Sequence, residues 1–171
     1  IADEAGINKA LLHYYFRSKE KLFSRIFSEV IEKIAEGLRI VFEKEMSIID
    51  RMNAIIDVYI DVLLKNRYLP IFVLNELNNN PERFSELVKQ HVVVHLEEFL
   101  GEIQHEVDEG NINPIHPLHL LLNVLGLIIF PFVTLPLLSR ITDDQYKPFI
   151  NTLLEDRKQV VKQFIKDALT P

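Results

Sequence analysis

Apolar residues recur along this chain with the spacing of one face of an α-helix. The longest such pattern follows Ser18, where apolar positions fall three or four residues apart. These positions are Leu22, Phe23, Ile26, Phe27, Val30, Ile31, Ile34, Leu38, Val41 and Phe42. The pattern predicts one long, unbroken helix that begins close to the start of the chain.

Capping and breaking residues predict three helices in the middle of the chain. Ser47 is a good N-cap for the first, and the second is a short helix over residues 71–77. Asn80 as N-cap and Pro81 at the first position begin the third helix, which is expected to end at Gly110.

The C-terminal third predicts two further helices. Pro117 opens the most apolar helix, which runs to about residue 138 and contains Pro131 and Pro136, expected to bend or break it. A last helix lies within residues 142–169, with its apolar residues on one side. No β-type alternation is longer than a few residues, so the predicted fold class is all-α.

The first residues indicate two short helices joined by a tight turn. Gly6 is able to take the positive φ needed after a helix, Ile7 plugs the turn, and Asn8 is a good N-cap for the second helix. Helix, glycine turn and helix is the helix-turn-helix arrangement, whose second helix enters the DNA major groove.

The order and spacing of these residues resemble the signature of the tetracycline-repressor-like (TetR) transcriptional regulators. The residues that carry the resemblance are Ile1, Ala2, Ala5, Gly6, Ile7, Asn8, Lys9, Leu12, His13, Tyr14, Tyr15, Phe16, Ser18, Lys19, Glu20, Lys21 and Leu22. The resemblance implies a helix-turn-helix head (1–25), whose first helix this sequence does not include. A long helix then leads into a helical ligand-binding and dimerisation body (26–171).

The resemblance also implies which side chains meet DNA. In the second short helix they are Lys9, Ala10, Leu11, His13 and Tyr14, and Lys19 is expected to meet a phosphate. Leu11 and His13 depart from the family, which more often has a small polar residue and a tyrosine there. Because leucine contacts a thymine methyl but forms no hydrogen bond, the family's base preference does not carry over. The alternative is an aromatic mini-core without a DNA role.

Charge is distributed unevenly along this acidic chain, whose formal net charge is −6. Residues 1–25 hold five basic and three acidic side chains, a net of +2, which leaves −8 for the remainder. A basic head on an acidic body is expected when only one end meets phosphate.

Composition and motifs exclude several kinds of chemistry. The chain has no cysteine, which excludes disulfides, zinc fingers and thiol catalysis and fits a cytoplasmic location. No signal-peptide pattern opens the chain. Neither a GxSxG motif nor a phosphate-cradling glycine loop occurs, so we expect no enzyme activity and no cofactor.

Two features have competing interpretations. Residues 118–138 contain no charged side chain in 21 positions, enough for a membrane span. The resemblance instead implies a buried, partly dimer-forming helix, and no membrane association is expected. His91 and His95 lie four residues apart, as metal ligands on one helix face do, but local spacing fixes no third ligand. Pocket lining or a partly exposed face is the other interpretation, and no metal is expected.

The body is expected to enclose a mostly apolar pocket for a small hydrophobic or amphipathic effector. Its predicted lining residues are Tyr59, Phe72, Asn75, His91, His95, Asn123 and Phe130. Polar groups within apolar helical stretches must pair with one another or with a ligand, because burying them without a partner is costly. The charge of −8 favours a neutral or cationic effector unless local charge overrides it.

The sequence therefore predicts a ligand-responsive DNA-binding transcriptional regulator. It is expected to act as a homodimeric repressor that a small effector releases from double-stranded operator DNA. The alternative is a helical small-molecule-binding or interaction module that does not bind DNA.

Overall fold

The computed structural model describes residues 19–82, 85–86, 89, 95–142 and 144–171, which form helices joined by short turns. The helices are α1 (Lys19–Phe42), α2 (Ile48–Lys65), α3 (Leu69–Asn79), α4 (Leu96–Asp108), α5 (Pro117–Ile141), α6 (Lys147–Glu155) and α7 (Arg157–Leu169), with a 3₁₀ turn at Asp144–Tyr146. Residues 81–82, 85–86 and 89 are helical as well. This described part contains no strand, which confirms the all-α fold class.

Helix α2 lies at the centre of the body, where it contacts α1, α4, α5 and α7. Its Met52, Ile56 and Ile60 side chains are at most 1% exposed. The Asp50 backbone N–H donates to Ser47 Oγ at 3.2 Å, which confirms the predicted N-cap. Full burial of an aliphatic side chain stabilises a fold by about 1.5–3 kcal/mol, so α2 is a principal source of stability.

The predicted long helix is confirmed as α1, which packs along α2. The buried side chains of α1 are Phe27, Val30, Ile31, Ile34, Leu38 and Val41. The two helices approach closely at Gly37, where an added Cβ would lie 2.8 Å from Val58 Cγ1. Phe42, at the C-terminal end of α1, packs edge-on against Phe99 of α4, with ring centroids 5.3 Å apart.

Ion pairs connect α2 to two of its neighbours. Lys158 Nζ of α7 lies 2.6 Å from Asp61 Oδ1, and Lys162 Nζ lies 2.6 Å from Asp57 Oδ2. On the side of α4, the buried Arg51 guanidinium pairs with Glu102. Arg51 Nη2 also donates to the Lys44 backbone carbonyl at 3.2 Å. Ion pairs on two sides of α2 thus hold it against α4 and α7.

Pro131 and Pro136 are expected to bend or break helix α5. The helix continues through both prolines, so the prediction of a break is wrong. Proline lacks the N–H that would bond the carbonyl four residues earlier, which for Pro131 is the Leu127 carbonyl. Arg157, the first residue of α7, supplies the missing donors. Its Nε and Nη2 lie 2.9 and 2.7 Å from the Leu127 oxygen. Burial lowers the pKa of the Arg157 guanidinium from its usual value.

The C-terminal region differs from its predicted single helix. A turn at Asp156 divides it into α6 and α7, and the apolar residues do not share one environment. Leu154, Val161, Ile165 and Leu169 are buried, whereas Phe149, Leu153 and Phe164 are exposed. The prediction of one continuous helix with a single apolar side is therefore wrong, because α6 and α7 have apolar residues on both the buried and the exposed sides.

Helix α4 ends as the glycine signal predicted. Asp108 is its last residue, and Gly110 follows in the left-handed region with φ of 72°. Asn80 separates the end of α3 from helical residues 81–82, in agreement with the predicted start at Pro81. The remainder of the predicted 81–110 helix includes residues 83–84, 87–88 and 90–94, which lie outside the described residues.

We predict that Arg157→Leu lowers the free energy of unfolding by about 1.5–3 kcal/mol, the usual value of a hydrogen bond from a charged donor. The control is the same substitution in a Pro131→Ala background. In that background the backbone N–H restored at position 131 bonds the Leu127 carbonyl. Arg157→Leu should therefore lower the free energy of unfolding by less than it does in the wild-type background. Urea unfolding at a fixed protein concentration measures both costs. Equal costs in the two backgrounds would show that Arg157 does not compensate for the proline.

Candidate functional site

The turn between α2 and α3 projects two large side chains from the body. Asn66 ends α2: its backbone N–H donates to the Leu63 carbonyl at 3.1 Å and its Nδ2 donates to the Val62 carbonyl at 2.8 Å. The Leu69 N–H then donates to the Asn66 carbonyl at 2.9 Å, which starts α3. Between them Arg67 is exposed and Tyr68 is 79% exposed.

A cleft of about 450 Å³, called here the turn cleft, lies beside this turn. Its described lining residues are Phe27, Leu64, Lys65, Asn66, Arg67, Tyr68, Leu69 and Phe72. The Phe27 and Phe72 rings lie 5.6 Å apart at 60°. The turn cleft is open to solvent, and its volume lies within the roughly 300–1,000 Å³ typical of small-molecule sites.

A second cleft of about 330 Å³, called here the α5 cleft, shares Arg67 and Tyr68 with the first. Its other described lining residues are Phe132, Leu135, Pro136, Ser139, Arg140 and Leu154. Tyr68 therefore stands between two clefts, one bordered by α1 and α3 and the other by α5 and α6.

Neither cleft brings together the predicted pocket residues that the structure describes. Of those within the described part, Phe72 alone lines one of these two clefts. Asn75, Asn123 and Phe130 are exposed on the single chain. Because exposed amides are solvated, Asn75 and Asn123 need no internal partner on the single chain. Their pairing with one another or with a ligand stays a prediction.

The remaining members of that set lie elsewhere. Tyr59 packs against the core cluster. His95 stacks on Phe42, with ring centroids 5.2 Å apart. His91 lies outside the described residues.

Sequence reasoning missed most of the cleft residues. Lys65, Arg67, Tyr68 and Arg140 belong to no recognised motif, and the prediction concentrated on polar residues inside apolar helices. A signal was present in the short polar interruption Lys65-Asn66-Arg67-Tyr68 between two apolar helices. Such an interruption indicates a turn that presents side chains next to a core.

Among the residues that the structure describes, no group of three or more potential metal ligands lies together. His116 and His119 pack edge to face with ring centroids 5.8 Å apart. His116 Nδ1 accepts a hydrogen bond from the Leu118 N–H at 3.2 Å, which makes it the N-cap of α5.

Large apolar side chains are exposed on α5, α6 and α7, and together they are called here the exposed apolar face. Its residues are Leu118, Leu122, Phe130, Leu137, Ile141, Phe149, Leu153, Val160 and Phe164. By length and composition alone, helix α5 is apolar enough to cross a membrane. Only 22% of its apolar 18-residue window is buried inside the protein. Exposed apolar side chains in such number are typical of a surface that meets a partner.

The N-terminal segment matches a known family model. Residues 1–26 match the model described as "Bacterial regulatory proteins, tetR family". This match supports TetR-family membership. TetR-family proteins are DNA-binding transcription regulators, and the match ends within α1. No curated protein matches the chain.

The predicted DNA-binding residues all fall within the TetR match. Lys9, Ala10, Leu11, His13 and Tyr14 lie outside the described residues. Lys19 is the first residue of α1. Phe27, which lines the turn cleft, directly follows the matched segment, so α1 connects that segment to the cleft.

Burial raises the pKa of Tyr59 from 10.0 to about 12. The folded state therefore holds the phenol proton more tightly than the unfolded state does. We predict that the Tyr59 contribution to stability is complete below about pH 10 and is lost as pH rises towards 12. Urea unfolding across this range measures the loss. The free energy of unfolding of Tyr59→Phe should decline less over this pH range than that of the wild-type protein. An identical decline in both proteins would contradict the prediction.

Proposed function

We propose that this protein is a ligand-responsive transcriptional repressor, released from operator DNA by a small effector. The observation that carries the proposal is the continuity of α1. Its first residues belong to the TetR-type segment, and its next residues form one wall of the turn cleft and much of the core. A single helix therefore joins a DNA-binding segment to a site of suitable size for a small molecule.

In this proposal the second short helix of the head enters the major groove. Lys9, His13 and Tyr14 contact base edges and phosphates there, Ala10 and Leu11 make apolar contacts, and Lys19 contacts a phosphate. The net charge of +2 on residues 1–25 supports this orientation, because the rest of the chain carries −8 and is repelled by DNA.

Effector response follows from the contacts of α1. A ligand in the turn cleft would contact Phe27 of α1 and Phe72 of α3, whose rings lie 5.6 Å apart. A change in the distance between these two rings would tilt α1 relative to α2, and the head would move with α1. In a dimer, such a tilt alters the distance between two recognition helices that must enter successive major grooves.

Homodimer formation through the exposed apolar face is the proposed means of covering it. Two α5 helices with two α6–α7 pairs would form a helical-bundle interface. A membrane is a poorer partner, because the Arg157 charge lies beside the middle of α5 and would enter the bilayer with it. We therefore propose a cytoplasmic dimer that has no enzyme activity and needs no cofactor.

The full-length protein should bind a near-palindromic DNA site with an affinity that falls as salt rises. Lys19→Ala should weaken binding to all sequences alike. It should also reduce the magnitude of the slope of log K against log salt by about 2, because each of the two subunits loses one phosphate contact. His13→Ala should change the preference among sites. Fluorescence anisotropy at several salt concentrations, with sites from a genomic selection, measures these effects.

Lys33→Ala is the matched control for Lys19→Ala, because Lys33 is exposed on the same helix but lies beyond the TetR match. It should leave the salt slope unchanged. If no site is selected at low salt, the repressor proposal fails and the alternative of a binding module without DNA recognition is favoured.

Phe164→Asp should convert the dimer to monomer, because Phe164 is 58% exposed on the single chain and lies in the proposed interface. Gln159→Asp, an exposed position on the same helix, is the control and should remain dimeric. Sedimentation equilibrium at micromolar concentration distinguishes the two. A monomeric wild-type protein would contradict the dimer proposal.

A further inference from the structure

Three cations surround the two clefts beside the α2–α3 turn. Lys65 and Arg67 line the turn cleft, and Arg67 and Arg140 line the α5 cleft. The described lining of both clefts contains no acidic side chain. The local charge is thus positive, although the chain as a whole carries −6.

These three cations differ from the basic residues that pair with carboxylates of another helix. Within the described part of the chain, Lys65, Arg67 and Arg140 form no ion pair or side-chain hydrogen bond. By contrast, Arg51, Lys158 and Lys162 are paired with carboxylates. The clefts therefore hold positive charge that no protein carboxylate neutralises among the described residues.

The helix termini at the turn do not cancel this charge. The C-terminal end of α2 carries a partial negative charge and the N-terminal end of α3 a partial positive one, so the two offset each other. Asn66 also caps the Val62 and Leu63 carbonyls at the end of α2. Full charges on Lys65 and Arg67 therefore dominate the local field.

Apolar and aromatic groups form the rest of the turn cleft. Phe27, Leu69 and Phe72 are buried or half-buried, and the exposed Tyr68 ring borders the opening. A ligand suited to this surface has an apolar, ring-sized body and one anionic group. DNA phosphates lack the apolar part, and a wholly apolar molecule leaves the cations without a partner.

We propose that the effector is an amphipathic organic anion, bound in the turn cleft with its anionic group between Lys65 and Arg67. Its aromatic or aliphatic body lies against Phe27 and Phe72. The inference rests on the proposed function, because it assigns a ligand class to the effector site. Local charge thus overrides the net charge of the body, which by itself favoured a neutral or cationic effector.

Three probes with the same ring system and different charge test the ligand class: 2-naphthoate, 2-naphthamide and 2-naphthylmethylammonium. Titration calorimetry with the full-length protein should give an affinity for 2-naphthoate about tenfold higher than for the amide, as expected for a charge-assisted contact, and no binding of the cation. Added salt should weaken binding of the carboxylate more than binding of the amide.

Substitutions then locate the site. Lys65→Gln and Arg67→Gln should each remove most of the preference for 2-naphthoate, and both side chains are exposed, so folding should be unaffected. Lys33→Gln removes the same charge from an exposed position that lines neither cleft and should leave the preference intact. Arg140→Gln, which lines the α5 cleft alone, should have a small effect.

The outcomes separate this inference from the proposed function. Equal or tighter binding of the amide or the cation, no binding of any probe, or unchanged selectivity in Lys65→Gln and Arg67→Gln would overturn the inference. DNA binding, measured separately, would still test the repressor. Selective binding of 2-naphthoate that leaves DNA affinity unchanged would support the cleft as an anion site and count against effector-controlled release.

Discussion

Ile56 and Ile60 are fully buried side chains of α2, the helix that α1, α4, α5 and α7 all contact. Because the interior of a protein is close-packed, a shift of any one of these neighbours must be accommodated by α2 or by the others. At Gly37 the backbone of α1 approaches α2 so closely that a single added carbon would collide with Val58. The orientation of α1 is therefore determined by this shared core, and so is the direction in which α1 leads back towards the TetR-type segment.

Polar contacts around this core determine how the helices align along one another. Partly exposed ion pairs such as Lys158–Asp61 contribute about 0–1 kcal/mol each, and their main effect is to favour one alignment of α7 on α2. Arg51 differs because it is buried, and loss of Glu102 would leave its charge without compensation. Arg157 acts on the backbone instead: it satisfies a carbonyl that Pro131 leaves without its helical donor. The proline-containing part of α5 is thereby connected to the first turn of α7, next to the exposed apolar face.

The proposed effector site and the proposed dimer face meet different parts of the same helical framework. The turn cleft touches α1 through Phe27, whereas the α5 cleft touches α5 and α6, which contribute to the exposed apolar face. Tyr68 and Arg67 border both clefts. A ligand beside this turn is therefore placed to affect both the tilt of the DNA-binding segment and the packing of the helices that would join two subunits.

Sequence by itself determined the all-α class, the course of α1, the Ser47 cap and the Gly110 helix end, because these depend on local periodicity, capping and glycine conformation. Residue order alone also identified the TetR-type segment. Only the tertiary structure decided that α5 continues through Pro131, since the compensating donor, Arg157, is distant in sequence. It likewise decided that Asn75 and Asn123 are exposed on the single chain and that Lys65, Arg67 and Arg140 line adjoining clefts. Helical spacing identifies residues that share a face, but the packing of one helix against another determines which face is covered and which distant charges meet.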